Sequence, residues 1–274
     1  MRGEKSFGQA DFLHVRAAGN AVNSLEVILR DFPDAVDLSA RPGPFERLLS
    51  DSEAVGRVGP VRTAGDEAAR AAPGSGPLPV PDQSQDLIVS LMSLHWANDL
   101  PGALSQIRRA LRPDGLFLGA LLGAGTLKEL RAVLTQAELE VRGGAQARVS
   151  PFADGFDGAA LLQRAGFALP VSDVDRVTVR YPDLFVLIRD LRAMGETALF
   201  VERPRPLTRE VAARMAQLYA ERYAGPDGRI PATFEIVTLS GWAPHESQQK
   251  PLPRGSAKMR LADALGVREQ TGED

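Results

Sequence analysis

Residues 86–122 read DLIVSLMSLHWANDLPGALSQIRRALRPDGLFLGALL, and their pattern sets the fold class. DLIVSLM at 86–92 is an almost unbroken apolar run, the mark of a strand covered on both faces of a parallel sheet. Asp99 then precedes a segment in which Leu104, Ile107 and Leu111 fall on one helical face, so Asp99 is read as the helix cap. RPDG at 112–115 is a turn, in which proline presets a dihedral and Gly115 closes the bend. LFLGALL at 116–122 is a second buried strand. Strand, helix and strand in one short block form a βαβ unit, the building block of a doubly wound α/β sheet.

Upstream, residues 9–31 have helical spacing, with Phe12, Val15, Leu25, Val27 and Leu29 among the apolar positions. Pro33 in DFP stops that helix, because proline cannot continue the hydrogen-bond ladder and pushes Phe32 out of helical dihedrals. AVDLS at 35–39 is a short strand, and PFERLL at 44–49 starts a helix that tolerates Pro44 in its first turn. Residues 51–85 are rich in Gly, Pro and Ala, and only VGRVGPVRT suggests a strand. Downstream, helices are expected at 126–139, 157–165, 182–194 and 207–223, the last capped by Thr208. Strands are expected at 173–181 and 233–243. The organisation expected is an N-terminal helical segment over 1–32, one domain over 33–265 with a helical insertion at about 182–225, and a loose tail over 266–274.

Composition narrows the function classes. Of 274 residues 44% are apolar, enough for a sizeable core, and the net charge is −3 with basic residues scattered. No nucleic-acid or membrane-surface footprint is expected from that balance. The absence of cysteine excludes disulfides, thiolate metal sites and a cysteine nucleophile. MRGEKSFGQADFLHV lacks an apolar signal core and no apolar run is long enough to span a bilayer, so a soluble cytoplasmic protein is expected. The three histidines, His14, His95 and His245, form no His-x-Asp or His-x-x-x-His pair, and no metal site is expected.

The block from Asp86 to Gly123 resembles the centre of class I S-adenosylmethionine (SAM) methyltransferase-like proteins. SLHWANDLPGAL, GTLKELR, VSPFAD and PATFEIVTLSGWAPHESQQKPLPRGSA, in that order, further resemble the respiratory complex I assembly factors known as arginine hydroxylases, with their bacterial relatives. Each motif is weak alone; their joint presence over roughly residues 6–265 is specific. The resemblance implies a Rossmann-like class I methyltransferase fold, mostly parallel, with helical additions. It implies a SAM site at the carboxyl ends of the strands, where open α/β sheets place ligands. It also implies a complex I subunit as partner, and methyl transfer or arginine hydroxylation as the chemistry.

Site residues follow from that placement. The fold's first motif, an acid followed by alternating glycines, corresponds to Asp37-Leu38-Ser39-Ala40-Arg41-Pro42-Gly43. Asp37 and Gly43 remain, while Ser39 and Arg41 replace glycines that allow a tight turn and close approach to a ligand. Arg41 suits the SAM carboxylate, or simply fills the space. The second strand candidate ends without the expected ribose-binding acid; Asp66 and Glu67 follow shortly after it, as ligands or equally as ordinary loop charges. Ser90, Leu91 and His95 end the central strand beside the expected pocket, although a buried Trp96 with a satisfied histidine is the plainer alternative. Glu129 suits a guanidinium substrate; a capping box with Thr126 is the preferred reading. His245, in a polar loop after the last strand, is the candidate for proton transfer, and a hydrogen-bonded loop histidine the alternative. Three functions fit: a SAM-dependent enzyme acting on a protein, an assembly chaperone that has lost SAM, and a small-molecule methyltransferase.

Overall fold

The computed structural model describes residues 10–39, 41, 43–63, 76–150, 158–197 and 204–249. Two compact units divide the chain, 1–244 and 245–274. The first contains a six-stranded sheet built from β1 (Ala35–Asp37), β2 (Val61–Thr63), β3 (Gln85–Leu91), β4 (Leu111–Leu122), β5 (Ala168–Tyr181) and β6 (Ile230–Trp242). The strand order is β2-β1-β3-β4-β6-β5. Pairings from β2 through β4 are parallel, and β6 runs antiparallel to both β4 and β5. The doubly wound, mostly parallel α/β sheet expected from residues 86–122 is therefore present. Among the described residues the helices are α1 (Phe12–Glu26), α2 (Pro44–Ser50), α3 (Leu100–Ala110), α4 (Lys128–Arg142), α5 (Gly158–Arg164), α6 (Leu184–Met194) and α7 (Arg209–Tyr223).

The two-residue period of a strand explains why residues 87–89 of β3 and 116–122 of β4 are apolar on both faces. Leu87, Val89, Leu91, Leu116 and Leu118 face a core shared with α1, α2, α4, α6 and α7. Ile88, Phe117 and Leu121, one residue out of phase, face a second core shared with α3 and α5. Every residue of β3 is buried. At the sheet edge β5 alternates half-buried and exposed residues, as one covered face requires.

Several boundaries differ from the sequence expectation. Helix α1 ends at Glu26, and Val27 and Leu29, expected on its apolar face, are 80% and 89% exposed. The Arg57 guanidinium donates to the carbonyls of Leu25 and Glu26 at 3.1 and 3.2 Å, closing the helix there. The chain then carries Phe32 into the core. Helix α3 is capped by Asp99, which accepts from the Gly102 amide at 2.9 Å, but Leu111 begins β4 rather than ending the helix. RPDG lies inside β4 as an irregularity: Gln85 pairs with Leu111 and Leu87 with Leu116. Asp114 there has φ +64°, and its amide donates to the Ala243 carbonyl at 3.0 Å. The turn chemistry is used as a bulge that admits the end of β6. No helix among the described residues is long and apolar enough to cross a membrane.

Candidate functional site

The carboxyl ends of β1, β3 and β4 lie side by side because the three strands are adjacent and parallel. The loop after β1 is stitched to the end of β3. The Leu38 amide donates to the Val89 carbonyl at 2.8 Å, and the Leu91 amide donates to Ser39 Oγ at 2.8 Å. Asp37 is buried, and its Oδ1 accepts from the Ser39 amide at 2.8 Å. Burial raises the Asp37 carboxyl above its usual range, and its bonds to Ser39 pull partly the other way. Ser90 Oγ and Ser93 Oγ share a bond at 2.9 Å. The structure thus brings Asp37, Ser39, Ser90 and Leu91 together at one strand-end junction.

Gly43 has φ +120°, a conformation that L side chains rarely adopt, and among the described residues, its chain neighbours aside, nothing lies within 4 Å of where a Cβ would stand. That open space and the strand-end carboxylate suit a ligand that approaches the backbone closely. Arg41 reaches across to Gly195, the cap of α6 at φ +81°; a Cβ there would lie 2.9 Å from the Arg41 Nη2. A positive charge in this loop fits a ligand carboxylate. The residues present therefore fit SAM in charge, although Ser39 spends its hydroxyl on the protein backbone.

Next to Gly195, Glu196 provides a feature the sequence reading missed. Its Oε2 lies 3.0 Å from His95 Nε2, with side chains 5% and 0% exposed. A carboxylate has no proton to give, so Nε2–H donates. His14, on the buried face of α1, feels the same groups: burial lowers its pKa to about 4, Glu196 opposes the fall, and Arg41 and His95 add to it. His14, Arg41, His95 and Glu196 thus form one electrostatic group drawn from four separate segments. His14 had a sequence signal, a polar residue in the buried series Leu13, Ala17, Ala18, Ala21 and Leu25. Glu196 had none beyond following a helix-stopping glycine.

Glu129 lies elsewhere. The expected capping box is absent: α4 is capped by Leu127 at φ +54°, with no side-chain cap. The Glu129 carboxylate instead accepts from the Thr233 amide at 3.1 Å and from the Thr233 hydroxyl at 2.6 Å. Thr126, expected as the cap, donates to the Glu235 carbonyl and accepts from the Glu235 amide. Strand β6 captures both side chains because its amides and carbonyls there need partners. Glu235 is held by Arg176 Nε at 2.9 Å and lies under Gly123 and Gly125, where a Cβ would come within 2.4 and 2.5 Å of its carboxylate oxygens. His245 opens the second unit, exposed, with Nδ1 2.7 Å from Ser247 Oγ. Asp66, Glu67, Ala40, Pro42 and the tail beyond 249 lie outside the described residues.

The sheet order, the strand-end junction and the covering helices define a doubly wound α/β protein with a ligand position at its strand ends, and the matches that follow make it methyltransferase-like. Residues 61–119 match the family described as Methyltransferase domain, a span that holds Ser90, Leu91 and His95 and leaves out Asp37–Gly43. A solved structure described as a methyltransferase of Bacillus halodurans shares the fold, with a TM-score of 0.50 and 13% identity over 82% of this chain and 98% of that one. The rat (Rattus norvegicus) protein named Arginine-hydroxylase NDUFAF5, mitochondrial, is 38% identical over 263 residues, covering 92% of this chain and 76% of the relative. This chain belongs to that NDUFAF5-type arginine-hydroxylase family. The zebrafish (Danio rerio) protein of the same name is 46% identical over 186 residues, 68% of this chain, and the match spans 58% of that relative's length.

Proposed function

We propose that this chain acts on an arginine of a protein partner during assembly of respiratory complex I, on a SAM-binding methyltransferase frame, by methyl transfer from SAM or by hydroxylation with dioxygen and a two-electron reductant supplied from outside the chain. The observation that carries this reading is the 38% identity, sustained over 92% of the chain, to a relative named an arginine hydroxylase. Asp37, Ser39, Arg41, Gly43, Ser90, Leu91 and His95 would hold SAM, which when bound supplies an electrophilic methyl group. The protein's own contribution is then positioning, since alignment of donor and acceptor supplies much of the barrier reduction. Asp37 offers an anion, Arg41 a cation, and Gly43 room for the ligand. His245 stays the group proposed for proton transfer. Glu129, with both oxygens on Thr233, fits a positioning role for β6 better than direct contact with substrate. The working place proposed is the cytoplasm, with a complex I subunit as partner.

A second reading, an assembly chaperone without SAM chemistry, is favoured by Ser39, whose hydroxyl is committed to Leu91 where the fold's motif has a glycine. Calorimetric titration with SAM separates the two. Binding with micromolar affinity supports the enzyme. No binding by the natural chain, but binding by the Ser39→Gly, Arg41→Gly variant, overturns it. Mass spectrometry of complex I subunits from a deletion strain then distinguishes a missing hydroxyl from a missing methyl group. Loss of neither mark leaves the chaperone.

A further inference from the structure

We infer that a cavity of about 280 Å³ beside Trp96 seats the arginine side chain of the partner protein, with Glu196 its anionic acceptor. This rests on the arginine-directed reading above and adds the site that does the recognising. Trp96, Leu130, Leu134, Ile188 and Met215 line the cavity, drawn from the turn after β3 and from α4, α6 and α7. Glu196 lines it too, its side chain 5% exposed.

An arginine side chain is an apolar stem that ends in a planar cation. The cavity offers the complement of both. Its aliphatic walls take the stem. Trp96 lines the cavity, and an indole is the aromatic side chain best suited to a guanidinium. Glu196 accepts from His95 through Oε2, and a carboxylate has a second oxygen with which to accept from a guanidinium. His95 is a positioning residue here: its bond fixes the carboxylate that receives the substrate.

Two cations, Arg148 and Arg192, also line the cavity and raise the opposite reading, an anionic guest. Charge placement decides against it. Arg148 is already held by Glu138, with Nε and Nη2 at 3.0 and 2.7 Å from Oε1. Arg192 is exposed, where water and salt screen it. Arg41 and His95 share an electrostatic group with Glu196 and partly balance it, but Arg41 does not line the cavity. Glu196 is therefore the desolvated charge met by a guest, where a charge interaction is several times stronger than at the surface.

The test is a fluorescence titration of the full chain. The sequence contains two tryptophans. Trp242→Phe leaves Trp96 as the reporter. The probes are blocked Gly-Gly-Xaa-Gly-Gly peptides with arginine, citrulline, lysine or glutamate at the centre. The arginine peptide is expected to change Trp96 emission saturably and to bind at least tenfold more tightly than citrulline, its uncharged isostere. Glu196→Gln keeps an acceptor for His95 and is expected to lose at least tenfold of the arginine affinity while its thermal unfolding stays cooperative. Should that variant fail to fold, Ile188→Phe, which fills the cavity with apolar volume, is expected to give the same loss. Equal binding of arginine and citrulline, preference for glutamate, no saturable signal, or unchanged affinity in the folded variants overturns the inference. A chain that binds the arginine peptide but not SAM keeps the pocket and loses the enzyme. A chain that modifies its partner without preferring the arginine peptide loses the pocket and keeps the function.

Discussion

His95 Nε2 and Glu196 Oε2 are 3.0 Å apart, almost wholly buried, and separated by 101 residues of sequence. The bond ties the chain leaving β3 to the chain leaving α6. A buried polar pair of this kind is costly to break because the survivor has no water to turn to. Glu196→Ala is expected to cost about 2–3 kcal/mol in urea unfolding, and Glu196→Gln distinctly less because it keeps an acceptor. Equal losses in the two variants would assign the effect to the charge rather than to the bond.

His14 predicts a loss of stability in mild acid. Its pKa in the folded chain falls to about 4 from an ordinary 6.5, chiefly through burial. The unfolded chain therefore takes up the proton first. Stability from this group is complete above pH about 6.5 and is lost as pH falls toward about 4, by up to about 3 kcal/mol at the limit. The groups that face it are Glu196, which opposes the shift, and Arg41 and His95, which add to it. A series of thermal melts between those two pH values is expected to flatten in His14→Gln.

Asp37 works with the opposite sign. Its folded pKa is raised by burial, so the carboxylate destabilises the fold at neutral pH and the penalty lifts as pH falls. Asp37→Asn keeps an oxygen for the Ser39 amide and is expected to raise the unfolding midpoint at pH 7, together with a fall in SAM affinity. Gains of this kind at a residue proposed to bind a ligand are a recognised trade of function against stability. A lowered midpoint would show that the charge is compensated in the folded chain.

Ser39→Ala leaves the Leu91 amide without its acceptor at the end of a wholly buried strand. A loss of about 1–2 kcal/mol is expected, with faster hydrogen exchange at the Leu91 amide. Unchanged exchange would mean that another acceptor takes over.

Glu129 and Thr233 are coupled through two bonds across 104 residues of sequence. Thr233→Val removes the hydroxyl bond and is expected to cost about 2 kcal/mol, with Glu129→Gln nearly neutral in that background. A double-mutant cycle with coupling below about 0.5 kcal/mol would refute the contact as an energetic one.

Much of the fold was legible because its signals are local. The apolar run 86–92 became β3 nearly residue for residue, and Asp99, ahead of the helical face of Leu104 and Ile107, capped α3 through the Gly102 amide. Errors fell where a distant partner overrode a local preference. Thr126 and Glu129 have the spacing of a capping box, yet the backbone of β6 offered both side chains better-buried partners. Val27 and Leu29 continue the helical period, but Arg57 caps the carbonyls before them.

The sequence by itself determined the βαβ core, the family and the strand-end position of Asp37, Ser39, Ser90 and Leu91. Hydrophobic period and turn chemistry act within a few residues, and both can be read along the chain. Only the tertiary structure decided that His14, Arg41, His95 and Glu196 share one buried electrostatic group and that Glu196 lines a cavity with Trp96. Those groupings come from packing α1, α4, α6 and α7 onto one face of the sheet, and no local spacing encodes which distant side chains meet there.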